Sequence, residues 1–336
     1  MKKKLVGMLA TATLLTMALA GNVQAAEIRS VGPDGEAAVD SSTIELTDDQ
    51  IAQIKEGGYT AAICLHYGGN DWSTSQQKGL EDTFGELGIE IVAVTDANFS
   101  AETQVSNIET VMAKKPDILV SIPTDATATA DAYKQAAAAG IKIVFMDQRA
   151  DGLEAGKDYV SVVSADNYGN GYASGTVLGD ALGGKGKVAM VYYDANFAPT
   201  NQRDEGFRDA MKNYPDIEIV TEQGFTDESG CAEQGDAILT QFPNIDGIYA
   251  SWDVPMEGVL SAVRAAGMEG KVTLACNDLG NNVAREIASG NIAGGGAQMP
   301  YDQGVAEAKL AALALLGEET PSYVAVPAET VTHENV

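Results

Sequence analysis

Along most of the chain, apolar positions fall in short runs separated by longer stretches in which they recur every three or four residues. The runs lie at 61–65, 89–94, 118–122, 141–146 and 159–163, and again at 188–192, 217–220, 248–250, 272–276 and 292–297. Short apolar runs bounded by turn residues read as buried strands. Between them, Val105, Ile108, Val111 and Met112 share one helical face, and Val259, Leu260 and Val263 share another. Alternating strand and helix predicts a parallel α/β fold, because parallel neighbours need a crossover and a helix usually supplies it. Ahead of this pattern, residues 27–41 are polar and Gly-rich, and a mobile lead-in is expected there. Thr47-Asp48-Asp49-Gln50 has capping-box spacing, and Gly57-Gly58 stops the short helix that follows.

The pattern repeats weakly. A helical stretch opened by Asp125 ends at Ala138-Ala139-Gly140, and a strand then leads to Asp147. One opened by Asp253 ends at Ala265-Ala266-Gly267, and a strand leads to Asp278. Each half thus places an Asp just past the carboxyl end of a strand, the edge where open α/β sheets bind ligands. Two similar halves imply two lobes facing a shared cleft.

A length of 336 residues with 45% hydrophobic and 21% charged residues fits a globular chain of about two domains. The formal net charge of −27 argues against nucleic acid or anionic lipid as a partner. His66 and His333 are the only histidines, so a multi-His metal site is excluded and a Ser–His–Asp triad is disfavoured. Cys64, Cys231 and Cys276 match no zinc spacing and cannot all pair internally; Cys64 and Cys276 sit in apolar runs and read as buried thiols.

Lys2, Lys3 and Lys4, the uncharged apolar stretch 5–20, and Val23 and Ala25 before Ala26 have the layout of a secretory signal peptide over residues 1–25. With no Cys near the cleavage site, the expectation is an exported, periplasmic chain without a lipid anchor. No later segment reads as a membrane span.

Gly169-Asn170-Gly171-Tyr172-Ala173-Ser174-Gly175 lacks the final spacing of a dinucleotide loop, and Gly183-Gly184-Lys185-Gly186-Lys187 lacks that of a phosphate loop. These glycines read as packing and turn positions, and no cofactor is expected. Asp147 and Asp278 could form a glycosidase carboxylate pair. Trp72 and Trp252 each follow a strand, where a ring is placed either to face a ligand or to fill the core.

Taken in order, these features resemble the periplasmic sugar-binding proteins of ABC importers, of the ribose-binding type, from about Tyr59 onward. Asn70-Asp71-Trp72 follows the first strand of the pattern, Pro123-Thr124-Asp125 the third, and Asp147 the fourth. Ser164-Ala165-Asp166-Asn167 matches the first crossing between lobes, and Arg203-Asp204-Glu205-Gly206-Phe207 matches an Arg-x-x-Gly-Phe helix. The resemblance implies two doubly wound parallel-sheet lobes, joined by a three-strand hinge, with the ligand cleft between them. It puts lobe one at 58–165 plus 299–327 and lobe two at 166–298 plus 328–336, after a lead-in at 26–57 that holds the short helix. It carries ligand-binding roles onto Asn70, Trp72, Asp147, Gln148, Arg149, Arg203, Trp252, Asp278 and Gln298. Gln148 replaces an Arg of the ribose pattern, although Arg149 is adjacent, and Trp252 replaces an Asn. The implied ligand is therefore a monosaccharide or polyol rather than ribose in particular. The implied partners are ABC permease subunits and, in a sensing role, a chemoreceptor or sensor kinase; the chain itself is expected to be a monomer and not an enzyme. The enzymatic alternative is a secreted glycosidase or sugar dehydrogenase, which turnover of a sugar would reveal.

Overall fold

The computed structural model describes residues 28–336, so the expected signal peptide lies outside the described residues. The first half of the chain forms β1 (Val39–Asp40), α1 (Asp48–Gly57), β2 (Thr60–Leu65), α2 (Asp71–Glu86), β3 (Glu90–Asp96), α3 (Ala101–Ala113), β4 (Ile118–Ser121), α4 (Ala130–Ala138), β5 (Lys142–Met146) and β6 (Ser161–Ala165). Then come α5 (Asn167–Ala181), β7 (Lys185–Tyr193), α6 (Ala198–Met211), β8 (Asp216–Phe225), α7 (Cys231–Gln241), β9 (Gly247–Ala250), α8 (Asp253–Ala265), β10 (Thr273–Cys276), α9 (Asn281–Ala288) and β11 (Gly294–Ala297). The chain ends with α10 (Pro300–Leu315), β12 (Tyr323–Val326) and β13 (Glu329–Thr332). Each of the ten apolar runs overlaps a strand; β1, β12 and β13 are additional. Among the described residues, no helix is long and apolar enough to cross a membrane.

The strands form two sheets. One has seven strands in the order β1-β12-β6-β5-β4-β2-β3, all parallel. The other has six in the order β13-β11-β10-β9-β7-β8, parallel except for β13. Period-two alternation explains why both faces are apolar. In β2, Ala61, Ile63 and Leu65 join the core beneath α2 and α10, while Ala62 and Cys64 join the core beneath α3 and α4. In β7, Val188 and Met190 face α5 and α6, and Ala189 and Val191 face α7 and α8. Cys64, Cys231 and Cys276 are free, buried thiols, and burial pushes Cys64 up to about 11.

The chain passes between the sheets three times, after β6, after β11 and after β12. The first and third crossings are tied where Asp166 N–H donates to Val326 O at 2.8 Å.

The lead-in is fixed, contrary to its polar composition. Arg29 and Ser30 N–H donate to the buried Asp166 carboxylate at 3.0 and 2.8 Å, Tyr168 N–H donates to Ser30 Oγ, and the Arg29 guanidinium lies 4.0 Å from the centre of the Tyr172 ring. Val39–Asp40 then pairs with β12. This anchoring uses backbone N–H groups and one distant carboxylate, which leave no apolar periodicity to read.

The glycines of α5 act in packing. A Cβ on Gly171 would lie 1.8 Å from Arg203 O, and one on Gly206 would lie 2.1 Å from Tyr168 O. The α5 and α6 backbones therefore touch. Gly171→Ala must drive the helices apart, and the expected loss is about 1–3 kcal/mol or more, read from urea unfolding. A loss under about 0.5 kcal/mol would show that the contact can relax.

Candidate functional site

The carboxyl ends of both sheets converge on one cleft, as the strand-end rule expects. Asp147 leaves β5 and Asp278 follows β10, and both adopt left-handed backbone, at φ 56° and 68°. That conformation is uncommon for a residue with a Cβ and is stored at sites where the surroundings enforce it. Both keep their backbone ladders, with Asp147 N–H donating to Val163 O at 2.8 Å and Asp278 N–H to Gly296 O at 2.9 Å. The repeat seen in the sequence is thus a repeat in structure.

One hydrogen-bonded chain joins these carboxylates. Arg203, on α6, donates from Nε to Asn167 Oδ1 at 2.8 Å, and from Nη1 to Asp278 Oδ2 at 3.1 Å and Ser251 O at 3.2 Å. Asn167 Nδ2 donates to Ser164 Oγ, and Ser164 Oγ donates to Asp147 Oδ1 at 2.8 Å. On the other side, Gln298 Nε2 donates to Asp278 Oδ1 at 2.6 Å, and Trp72 Nε1 donates to Gln298 Oε1 at 3.4 Å. The Arg203–Asp278 pair is 5% and 8% exposed, so its charges are scarcely screened by water. Burial raises the Asp147 carboxyl above its ordinary range, opposed by Ser164 and Arg203. For Arg203, burial disfavours the cation, but Asp278 and Asp147 outweigh it and hold it charged. Burial beside Asp278 pushes Asp253 up to about 7.

Aromatic rings close the cleft. His66 stacks on Phe197 at 5.6 Å between centres, Tyr67 stacks on Phe99 at 4.1 Å, and Tyr193 meets Trp252 edge-on at 5.6 Å. Burial drives His66 down to about 3, so its ring is neutral. The ring-lined cavity holds about 50 Å³, and a second, wider cavity of about 710 Å³ lies beside it between Asp71, Trp72, Asp253 and Asn281.

Of the nine expected ligand residues, Trp72, Asp147, Arg203, Trp252, Asp278 and Gln298 line this cavity. The other three are placed elsewhere. The Asn70 side chain caps α2, accepting from Ser73 N–H at 2.8 Å and donating to Tyr67 Oη. Gln148 is spent between the halves, donating to Pro123 O at 2.8 Å and accepting from Ala198 N–H at 3.2 Å. Arg149 turns to the lead-in, pairing with Asp34 at 2.8 Å. His66, Tyr67, Phe99, Tyr193, Phe197 and Thr200 also line the cavity, outside the nine expected ligand positions. His66, Tyr67 and Tyr193 lie at or just past strand ends and were open to the argument used for Trp72. Phe99 and Phe197 lie in loops or at a helix start, without a local signal. Among the described residues, no cluster of His, Cys, Asp and Glu is arranged for a metal ion.

Two parallel α/β halves facing across a polar, ring-lined cleft define a two-lobed ligand-binding protein. The chain belongs to the periplasmic binding protein domain family, whose model matches residues 60–319. It is 29% identical over 273 residues to a D-ribose/D-allose-binding protein of Pseudomonas aeruginosa, covering 78% of this chain and 83% of that one. An ABC transporter periplasmic solute binding protein from Actinobacillus succinogenes with bound D-allose superposes with TM-score 0.76 and 28% identity, over 82% of this chain and 98% of that one. A solute binding protein from Agrobacterium vitis bound with alpha-D-tagatopyranose gives 0.77 and 26%, over 82% and 95%.

Arg203 supports two elements as well as the cleft, so its loss should be felt without ligand. Arg203→Leu leaves Asp278 buried beside an apolar group and is expected to cost about 3–5 kcal/mol in urea unfolding. The half-buried Trp72, changed to Ala, is expected to cost about 1–3 kcal/mol. Equal, small losses would show that the Arg203–Asp278 pair carries no structural weight.

Proposed function

We propose that the chain captures a monosaccharide or polyol between its lobes, in the periplasm, and presents it to the permease subunits of an ABC importer. The observation that carries this is the pairing of chemistries in one cavity. Asp147 and Asp278 offer acceptors for vicinal hydroxyls, Arg203 and Gln298 offer donors, and Trp72 and Trp252 cover C–H faces. Hydroxyls need partners once water is excluded, and sugar rings present apolar faces to aromatic ones. The sugars bound by the two superposed proteins support the same class. The lobes are taken as 58–165 plus 299–327 and 166–298 plus 328–336, with the lead-in docked on both.

Closure follows from the contacts that join the halves away from the hinge. Asn281 N–H donates to Asp71 Oδ2 at 2.7 Å, Ala198 N–H donates to Gln148 Oε1, and His66 stacks on Phe197. Opening breaks these few bonds while the crossings hold, and a ligand touching both lobes favours the closed state.

A thermal-shift screen over aldoses, ketoses and inositols should find a ligand, and small-angle scattering should then show a smaller radius of gyration at saturation. No shift with any of them would sink the sugar assignment. With that ligand, Asp278→Ala and Asp147→Ala should each weaken binding by about 2–4 kcal/mol, on the order of 30- to 1,000-fold, in isothermal titration. Asp227→Ala, an exposed loop carboxylate, is the near-neutral control. Binding by both cleft variants within about twofold of the unsubstituted protein would show that the ligand lies elsewhere.

A further inference from the structure

Behind Asp147, α10 carries Gln303 and Glu307 one helical turn apart, both wholly buried. Gln303 Nε2 donates to Asp147 Oδ1 and to Val163 O, each at 3.1 Å. Glu307 Oε1 accepts from Gln76 Nε2, on α2, at 2.6 Å. Three oxygens of this group, Gln76 Oε1, Gln303 Oε1 and Glu307 Oε2, are buried without a donor. A buried acceptor left without a donor is costly. The electrostatics deepen the problem. Arg203 acts on Asp147 from the other lobe, but the charge that acts on Glu307 is the like charge of Asp147.

A single proton satisfies two of the three, Gln76 Oε1 and Glu307 Oε2. Placed on Glu307 Oε2, it makes that atom a donor and Gln76 Oε1 its acceptor, while Gln76 Nε2 still donates to Glu307 Oε1. Acid and amide then close a two-bond ring. Burial, with the Asp147 charge, drives the Glu307 carboxyl well above its ordinary range, outweighing the opposing hydrogen bonds from Gln76 and Gln303.

The pin sits where it can set the site. A Cβ on Gly79 would lie 2.1 Å from Tyr301 O, and one on Gly304 would lie 2.3 Å from Gln76 O, so α2 and α10 touch backbone to backbone. Trp72 is one turn before Gln76 on α2, and Gln303 is one turn before Glu307 on α10. We propose that Glu307 is a positioning residue of the ligand site: a neutral carboxylic acid paired with Gln76, which locks α2 on α10 and so fixes Trp72 and, through Gln303, Asp147. The positioning role rests on the sugar-site reading; the acid–amide pair does not.

The test uses the full mature chain with Glu307→Gln and Glu307→Leu. In the first arm, without ligand, unfolding midpoints of the unsubstituted protein and Glu307→Gln are compared from about pH 5 to about pH 8. A carboxyl whose folded pKa is raised contributes its full stability at acid pH and loses it as pH rises toward that folded value. Gln has no proton to lose and can complete the same ring. The midpoints should therefore converge near pH 5, with Glu307→Gln progressively the more stable toward pH 8. Asp147, the charge facing Glu307, is common to both proteins, while Asp71, Lys78, Glu81, Asp82 and Glu86 of α2 and Lys142 of β5 lie at the surface. A gap that does not change with pH overturns the neutral acid. In the second arm, titration with the sugar found by screening should show Glu307→Gln within about twofold of the unsubstituted protein and Glu307→Leu weaker by about tenfold or more. Glu307→Leu binding normally, or Glu307→Gln failing as badly as Glu307→Leu, overturns the positioning role. If the unsubstituted protein binds no sugar, the functional reading falls, and the first arm still decides the protonation of Glu307.

Discussion

The structure turns on a buried guanidinium. Arg203 is buried and reaches a side chain of α5, a backbone carbonyl past β9 and the carboxylate past β10. An ion this deep is tolerated only when its donors are met and its charge is balanced. That requirement explains much around it. Asp278 must turn inward, Asn167 must begin α5 with its carbonyl oxygen aimed at Nε, and α6 must lie close enough to α5 for Gly171 to pass Arg203 O.

The same ion links the lobes. Through Asn167 and Ser164 it meets Asp147, and through Asp278 and Gln298 it meets Trp72. Polar groups strung together in low dielectric reinforce one another, and leaving one unpaired is costly. Under the proposed function, a hydroxylated ligand entering such a network would exchange bonds with groups already oriented, so little ordering would remain to be done on binding.

The two lobes solve the same problem differently. Lobe two balances its carboxylate with Arg203. Among the described residues no cation is hydrogen-bonded to Asp147, on which Arg203 acts only at longer range; Ser164 and Gln303, hydroxyl and amide donors, hold it instead, backed by Glu307 and Gln76. The cleft thus has one charge-paired wall and one wall held by neutral donors.

The alternation of apolar runs and helical faces was enough to place ten strands, because burial on both faces of a parallel sheet writes itself into local composition. The repeat ending in Asp147 and Asp278 was also legible, since strand-end position depends only on chain order. Direction was not. Asn70, Gln148 and Arg149 stand at similar strand ends, yet they turn to a helix cap, to the facing lobe and to the lead-in, because their nearest unpaired partners, Ser73 N–H, Ala198 N–H and Asp34, lie there. Phe99 and Phe197 become cleft residues only when the lobes meet. The lead-in becomes an ordered edge only because β12, nearly three hundred residues later, leaves it a strand to pair with. Local periodicity records which side chains are buried; which group each one faces is settled by segments distant in sequence, and so by the tertiary structure alone.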